Sequence, residues 1–142
     1  MVIITDEFTL STKGNTDVID ITELVHHIIG KNKVGNGLVN ISVVCSTASI
    51  TTIEYEPALV KDLKETLEKL VPSNKEYHHD KTWGDANGFS HIRSAILGTS
   101  KSFHLLKGKL ILGTWQQIIL IDFDNRPIER KIVVQLVGIL AE

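Results

Sequence analysis

Apolar residues recur along this chain with two different periods, and the changes between them divide it into elements. Residues 2–10, VIITDEFTL, mix β-branched and apolar positions and run into the turn-forming Ser11-Thr12-Lys13-Gly14-Asn15, which predicts a first strand. Asp20-Ile21-Thr22-Glu23 has the spacing of a capping box. Leu24, Val25, Ile28 and Ile29 then share one helical face before Gly30, so a helix is expected over 21–31. Gly35-Asn36-Gly37 signals a turn, LVNISVVC reads as a buried strand over 38–45, and the β-branched run 49–54 reads as the next.

Pro57 suits the first turn of a helix. From there Leu59, Val60, Leu63, Leu67, Leu70 and Val71 keep helical spacing opposite Lys61, Glu65 and Lys69, giving a helix over 57–71 that Pro72-Ser73-Asn74 ends. Residues 73–91 hold no sustained period and are rich in His, Asp, Asn and Gly, the signature of a functional or disordered loop. A short helix is expected over 90–98, with Ser90 or Asn87 as cap and Gly98 as stop. Three strands complete the pattern: 102–106, 110–122 with a break at Gly113, and 130–139. The turn Asp124-Asn125-Arg126-Pro127 is expected to join the last two as a hairpin. Strands outnumber helices without regular βαβ alternation, so the pattern predicts an α+β fold.

The 142 residues suit one domain. Lys+Arg 15 against Asp+Glu 17, with no basic run and 6% aromatic residues, argues against a nucleic-acid surface. No apolar run reaches the roughly 18–20 residues of a membrane span. The opening MVIITDEF carries acid where a signal peptide carries base, so no membrane partner and a cytoplasmic location are expected. The single Cys45 has no intramolecular disulfide partner, in keeping with a reducing compartment.

Candidate chemistry concentrates in His78-His79-Asp80, Asp85, Asn87 and His91, whose imidazoles and carboxylates suit a divalent ion such as Zn or Mn. The competing reading is an Asx-rich loop that satisfies its own backbone. Neighbouring His78 and His79 are expected to diverge, so one of them at most is a ligand. Gly113-Thr114-Trp115-Gln116 marks either a strand bulge with a core Trp or a close approach to a ligand, Trp115 forming a wall beside the Gln116 amide. His91 at a helix start, with Arg93 or Ser94, suits an anion. Cys45-Ser46-Thr47 offers hydroxyl donors or a thiolate without an identifiable base, and Glu54 and Glu56 flank a helix start, where Glu56 is read as a cap. His26, His27 and His104 are read as structural or surface residues.

Several runs also resemble the YjbQ-like family: Ser46 through Glu54, Tyr77-His78-His79-Asp80, Gly84-Asp85-Ala86-Asn87-Gly88, Ser90-His91-Ile92-Arg93-Ser94, Leu97-Gly98-Thr99-Ser100 and Gly113-Thr114-Trp115-Gln116 with Gly108 upstream. The resemblance spans almost the whole chain in order. It implies an α+β fold with mixed and antiparallel sheets and about three helices, a homotrimer, and a pocket between subunits lined by the His-Asp loop, where some members bind a metal.

The family is often labelled a secondary thiamine-phosphate synthase. On that resemblance the expected activity is a transferase joining a pyrimidine methyl diphosphate to a thiazole phosphate. His79, Asp85 and His91 would hold Zn, Mg or Mn. Arg93, Ser94, Asn87 and Thr114 would bind a small phosphorylated substrate, Trp115 would wall the pocket, Gln116 would orient the substrate, and Glu54 would meet a ring amine. Two departures stand out. Cys45 occupies a position where many bacterial relatives carry His, and Ile53-Glu54 replaces their Asn-Glu. The alternatives are a metal-dependent hydrolase of a phosphorylated metabolite and a non-catalytic trimer that binds a small anion or metal.

Overall fold

In the computed structural model, which describes residues 1–142, the chain runs β1 (Val2–Thr12), β2 (Asp17–Asp20), α1 (Thr22–Asn32), β3 (Val34–Val43), β4 (Ala48–Ile53), α2 (Pro57–Leu70), α3 (Asp80–Trp83), α4 (Gly88–Leu97), β5 (Ser100–Leu106), β6 (Lys109–Leu110), β7 (Gln117–Asp122) and β8 (Ile128–Leu140). The strands form a five-stranded sheet in the order β1-β8-β3-β5-β6 and a three-stranded sheet in the order β2-β7-β4. Every strand pair is antiparallel, so of the mixed or antiparallel sheets expected the structure has the antiparallel kind. The single-turn α3 raises the expected three helices to four.

The main core lies between the sheets. Val39, Ile41, Ile132, Val134 and Leu136 of the larger sheet face Ile50, Ile118 and Leu120 of the smaller, and Ile21, Val25, Ile28 and Ile29 add the apolar face of α1. The opposite side of the smaller sheet presents Ile119 and Ile121 to Leu67 of α2, with Val60, Leu63 and Leu97 alongside. Covered on both faces, β7 is apolar without alternation (QIILID), whereas β1 alternates because only one of its faces is packed. No helix is long and apolar enough to cross a membrane.

Two expected connections resolve differently. The segment expected as one strand over 110–122 is split between the sheets: β6 pairs with β5, β7 pairs with β2 and β4, and Gly113–Gln116 turns between them. Nor do β7 and β8 form a hairpin across Asp124–Pro127. β7 already has a neighbour on each edge, and β8 lies between β1 and β3 in the other sheet. The short β2, VID between acidic residues, gave no periodic signal and was not expected. Near the start of α1 the anticipated box is displaced: Asp20 Oδ1 accepts from the Thr22 amide (3.0 Å) and hydroxyl (2.7 Å), while Ile21 occupies the cap position.

The crossing from β7 to β8 is locked by buried charge. Arg130 Nε and Nη2 donate to the Asp122 carboxylate at 2.7 and 2.9 Å, Nη2 also donates to Thr47 Oγ1, and Thr12 Oγ1 donates to Asp122. Burial pushes the Asp122 carboxyl up, but the hydrogen bonds from Arg130, Thr12 and the Asp124 amide outweigh it and hold it below the usual carboxylate range. Its folded value lies below its unfolded value. The stabilisation is therefore complete above the unfolded range, about pH 4, and is lost as pH falls through the lower folded value. Asp122→Asn is expected to cost about 3–5 kcal/mol in urea unfolding at neutral pH and to remove part of the acid sensitivity; a cost near zero would refute the role of the pair.

Candidate functional site

The polar loop is organised by one carboxylate. Asp80 accepts from the Tyr77 amide at Oδ2 and the Gly88 amide at Oδ1, both at 2.9 Å, and those two bonds hold its carboxyl below the usual range. The loop is thereby closed onto the start of α4. Gly88 is required there: a Cβ would lie 2.6 Å from Tyr77 Cβ and 2.9 Å from Asp80 Oδ1. Asp80 is thus a scaffold, the Asx-loop alternative realised at one residue.

The closure sets the His79 and His91 rings edge to face, with centroids 4.6 Å apart. With Tyr77, His78, Gly88 and Ile92 they line an open cavity of about 400 Å³. His78 and His79 both line it, from a turn rather than an extended strand. Asp85 stays exposed, its carbonyl accepting from Asn125 Nδ2, and no third His, Cys, Asp or Glu completes a metal-binding group with the two imidazoles. A catalytic zinc site uses three protein ligands, so one chain by itself does not form the expected His79–Asp85–His91 site.

Arg93 does not reach the cavity. It is 1% exposed, Nε and Nη2 donate to Val71 O (3.1 and 2.8 Å), Nη1 donates to Thr16 Oγ1 (3.1 Å) and Nη2 to Glu68 (2.9 Å), with the guanidinium over the Phe89 ring. A guanidinium so engaged ties α4 to the end of α2 and has no role left as a phosphate clamp. Ser94 Oγ is likewise committed to Ala48 O at 2.6 Å. Asn87 occupies the cap position of α4, yet its side chain caps nothing; it is 7% exposed, and Oδ1 is the one buried side-chain polar atom without a partner. Four residues before His91, it is on the same helical face.

The remaining candidates gather elsewhere. Glu54, Tyr55 and Trp115 line a cavity of about 540 Å³ with Asp20, Glu23, Glu56, Pro57 and Gln117. Its carboxylates have no basic neighbour in the lining. Glu56 caps α2 as expected, accepting from Ala58 and Leu59 amides (2.9 and 2.8 Å). Trp115 is 71% exposed, which removes the core-Trp reading. Gln116 folds back on its own turn, accepting from the Gly113 amide (2.9 Å) and donating to Thr52 Oγ1 (3.2 Å), so it positions Trp115 rather than a substrate. Thr114 lines a smaller adjoining cavity with His26. Glu54 follows the last residue of β4, whereas Ser46, which shares a cavity with His91, lies two residues before its first. At about 3.3 Å per residue the two groups are roughly 20 Å apart.

That cavity beside His91, about 310 Å³, is lined by Cys45, Ser46, Ser94, Ala95, Gly98 and Thr99. Thr99 had no role assigned from sequence, since only the packing of α4 on β4 brings it to Ser46.

A family profile described as UPF0047 protein YjbQ-like matches residues 6–139. A UPF0047 protein of Archaeoglobus fulgidus is 36% identical over 129 residues, covering 91% of this chain and 98% of its own. A UPF0047 protein of Methanothermobacter thermautotrophicus is 34% identical over 97% of this chain and 94% of its own. The crystal structure of a YbjQ-like protein of unknown function from Sulfolobus solfataricus is similar with a TM-score of 0.90 at 31% identity, covering 96% and 98% of the two chains.

Arg93→Met is expected to lower the unfolding free energy by about 3 kcal/mol or more; a variant with parental stability and lost phosphate binding would restore Arg93 to the site. Asn87→Ala, which deletes an acceptor with no partner, is expected to cost less than about 1 kcal/mol in thermal unfolding. A much larger loss would mean that Oδ1 serves the fold.

Proposed function

The chain belongs to the UPF0047 protein YjbQ-like family, and from that premise we propose that it acts on a small phosphorylated molecule held at His79 and His91, as a transferase joining a pyrimidine methyl diphosphate to a thiazole phosphate. The observation that carries this reading is the pairing of two imidazoles from different segments at the mouth of one cavity. In the reaction the thiazole nitrogen attacks the methylene carbon, a C–N bond forms, and the C–O bond breaks with its electron pair leaving on pyrophosphate. The His91 imidazole, held edge to face by His79, would donate a ring N–H to the leaving diphosphate oxygens, where charge develops. A divalent ion, Zn, Mg or Mn, would neutralise that charge when it arrives bound to the diphosphate, since the chain supplies only two of the ligands a resident ion needs.

Glu54 would accept from the pyrimidine amine and Trp115 would face the ring, but roughly 20 Å separates them from the imidazoles along β4. We therefore assign a second copy to the site. The end bearing Glu54 is acidic, with Asp20, Glu23 and Glu56, and exposes Tyr55, Ile111 and Trp115. The opposite end carries His78, His79 and His91 and exposes Trp83, Ile92 and Ile96. Two unlike complementary ends associate head to tail, and such contacts close as a ring, for which a homotrimer is the proposed size. A cytoplasmic location is proposed with it, since Cys45 would stay reduced there.

The test is product formation from the two phosphorylated substrates with Mg, Mn or Zn added. His79→Ala or His91→Ala is expected to lower the rate about a hundredfold or more with unchanged melting temperature. His79→Ala and Glu54→Gln, each impaired alone, should regain activity when co-assembled, because up to about one joint in three of a mixed ring pairs two intact ends. No regain would sink the shared site. Free phosphate released from a single substrate would move the reading to the hydrolase, which the histidine end alone could support; binding without turnover would leave an anion-binding trimer.

A further inference from the structure

With Arg93 locked in the core, the phosphate needs another partner. His91 lines two cavities whose other walls differ. On one side the walls are the Tyr77 ring, Ile92, the Gly88 backbone and two further imidazoles. On the other they are Cys45, Ser46, Ser94, Ala95, Gly98 and Thr99. The two sides differ in what they can accept. A phosphate on the first side would meet imidazole N–H groups, but the Tyr77 ring and Ile92 would strip its hydration and offer no donor in return. An aromatic ring or apolar body suits that side.

The second side has the donors. Ser94 Oγ is committed to Ala48 O, which leaves the Ser46 and Thr99 hydroxyls and the Cys45 thiol to address a ligand. Lys101 adds charge at the edge: its ammonium donates to Leu97 O at 2.8 Å and to Ser100 O at 3.5 Å and lies 3.2 Å from where a Gly98 Cβ would be, so one of its three protons remains to be placed. Gly98 itself, at φ +87°, keeps that wall open.

Resting on the reading of the histidine site given above, we propose that the phosphate or diphosphate group of the ligand occupies the chamber of Cys45, Ser46 and Thr99, that its organic body lies against Tyr77 and Ile92, and that the His91 imidazole stands between the two. Ser46 and Thr99 then replace Arg93 as the anion's hydrogen-bond donors, and Cys45 becomes a contact of the phosphate group rather than a nucleophile.

Cys45 is the only thiol in the chain and therefore reports on this chamber without ambiguity. The experiment is alkylation of Cys45 by iodoacetamide in the intact protein, with and without inorganic pyrophosphate, alongside calorimetric titration of pyrophosphate. Pyrophosphate is expected to slow alkylation about fivefold or more, half-maximally at its dissociation constant. Ser46→Ala and Thr99→Val should each weaken its binding about fivefold. Binding that neither protects Cys45 nor responds to Ser46→Ala and Thr99→Val overturns the chamber assignment while leaving the histidine site standing. No protection at millimolar pyrophosphate overturns it as well. If His91→Ala also leaves pyrophosphate affinity unaltered, the histidine reading falls with it.

Discussion

The arrangement of the molecule depends on the buried pair of Arg130 and Asp122. The chain changes sheets repeatedly at one end of the sandwich: after β1, between β3 and β4, and between β7 and β8. Each crossing brings polar backbone and side chains toward a core otherwise built from Ile, Leu and Val. Arg130 from β8, Asp122 from β7, Thr12 from β1 and Thr47 from the β3–β4 connection satisfy one another there. A buried network of this kind adds little net stability when complete, yet losing one member leaves a desolvated charge. It therefore fixes where the crossings sit, and Cys45 and Ser46 sit in one of them.

A second constraint is distance. β4 runs as a rigid spacer between the histidine end and the acidic, tryptophan-bearing end, and nothing in the fold bends it. Side chains held at the two ends of one strand cannot close on one small molecule. Each end is also more apolar at its surface than a free monomer requires, with Trp83, Ile92 and Ile96 at one and Tyr55, Ile111 and Trp115 at the other. Half-sites with exposed apolar rims are what a head-to-tail assembly would need.

Polar residues in the site region divide by what they bond. Asp80, Arg93, Ser94 and Gln116 have their hydrogen bonds filled by backbone and neighbouring side chains, and their effect is to place others. His79, His91, Asn87 Oδ1, Trp115 and Glu54 are placed by that framework without being consumed by it. Residue type did not separate the two groups. The most strongly charged candidate, Arg93, is among the most deeply buried residues in the chain.

Much of the fold was legible in the sequence because helical and strand periods are local properties. The helix from Pro57 and the strand alternation of the first and last segments follow from the order of residues, as does the absence of a long helix or strand in the His-Asp loop. The α+β class follows from counting those elements. What tertiary structure alone decided was non-local: which sheet each strand joins, that β7 and β8 part company, that Arg93 points inward, and that Glu54 and His91 stand at opposite ends of β4. The reason is that a polar side chain turns inward only where distant segments supply each of its nitrogens with a partner, and Val71, Thr16 and Glu68 meet at Arg93 only once the chain has folded.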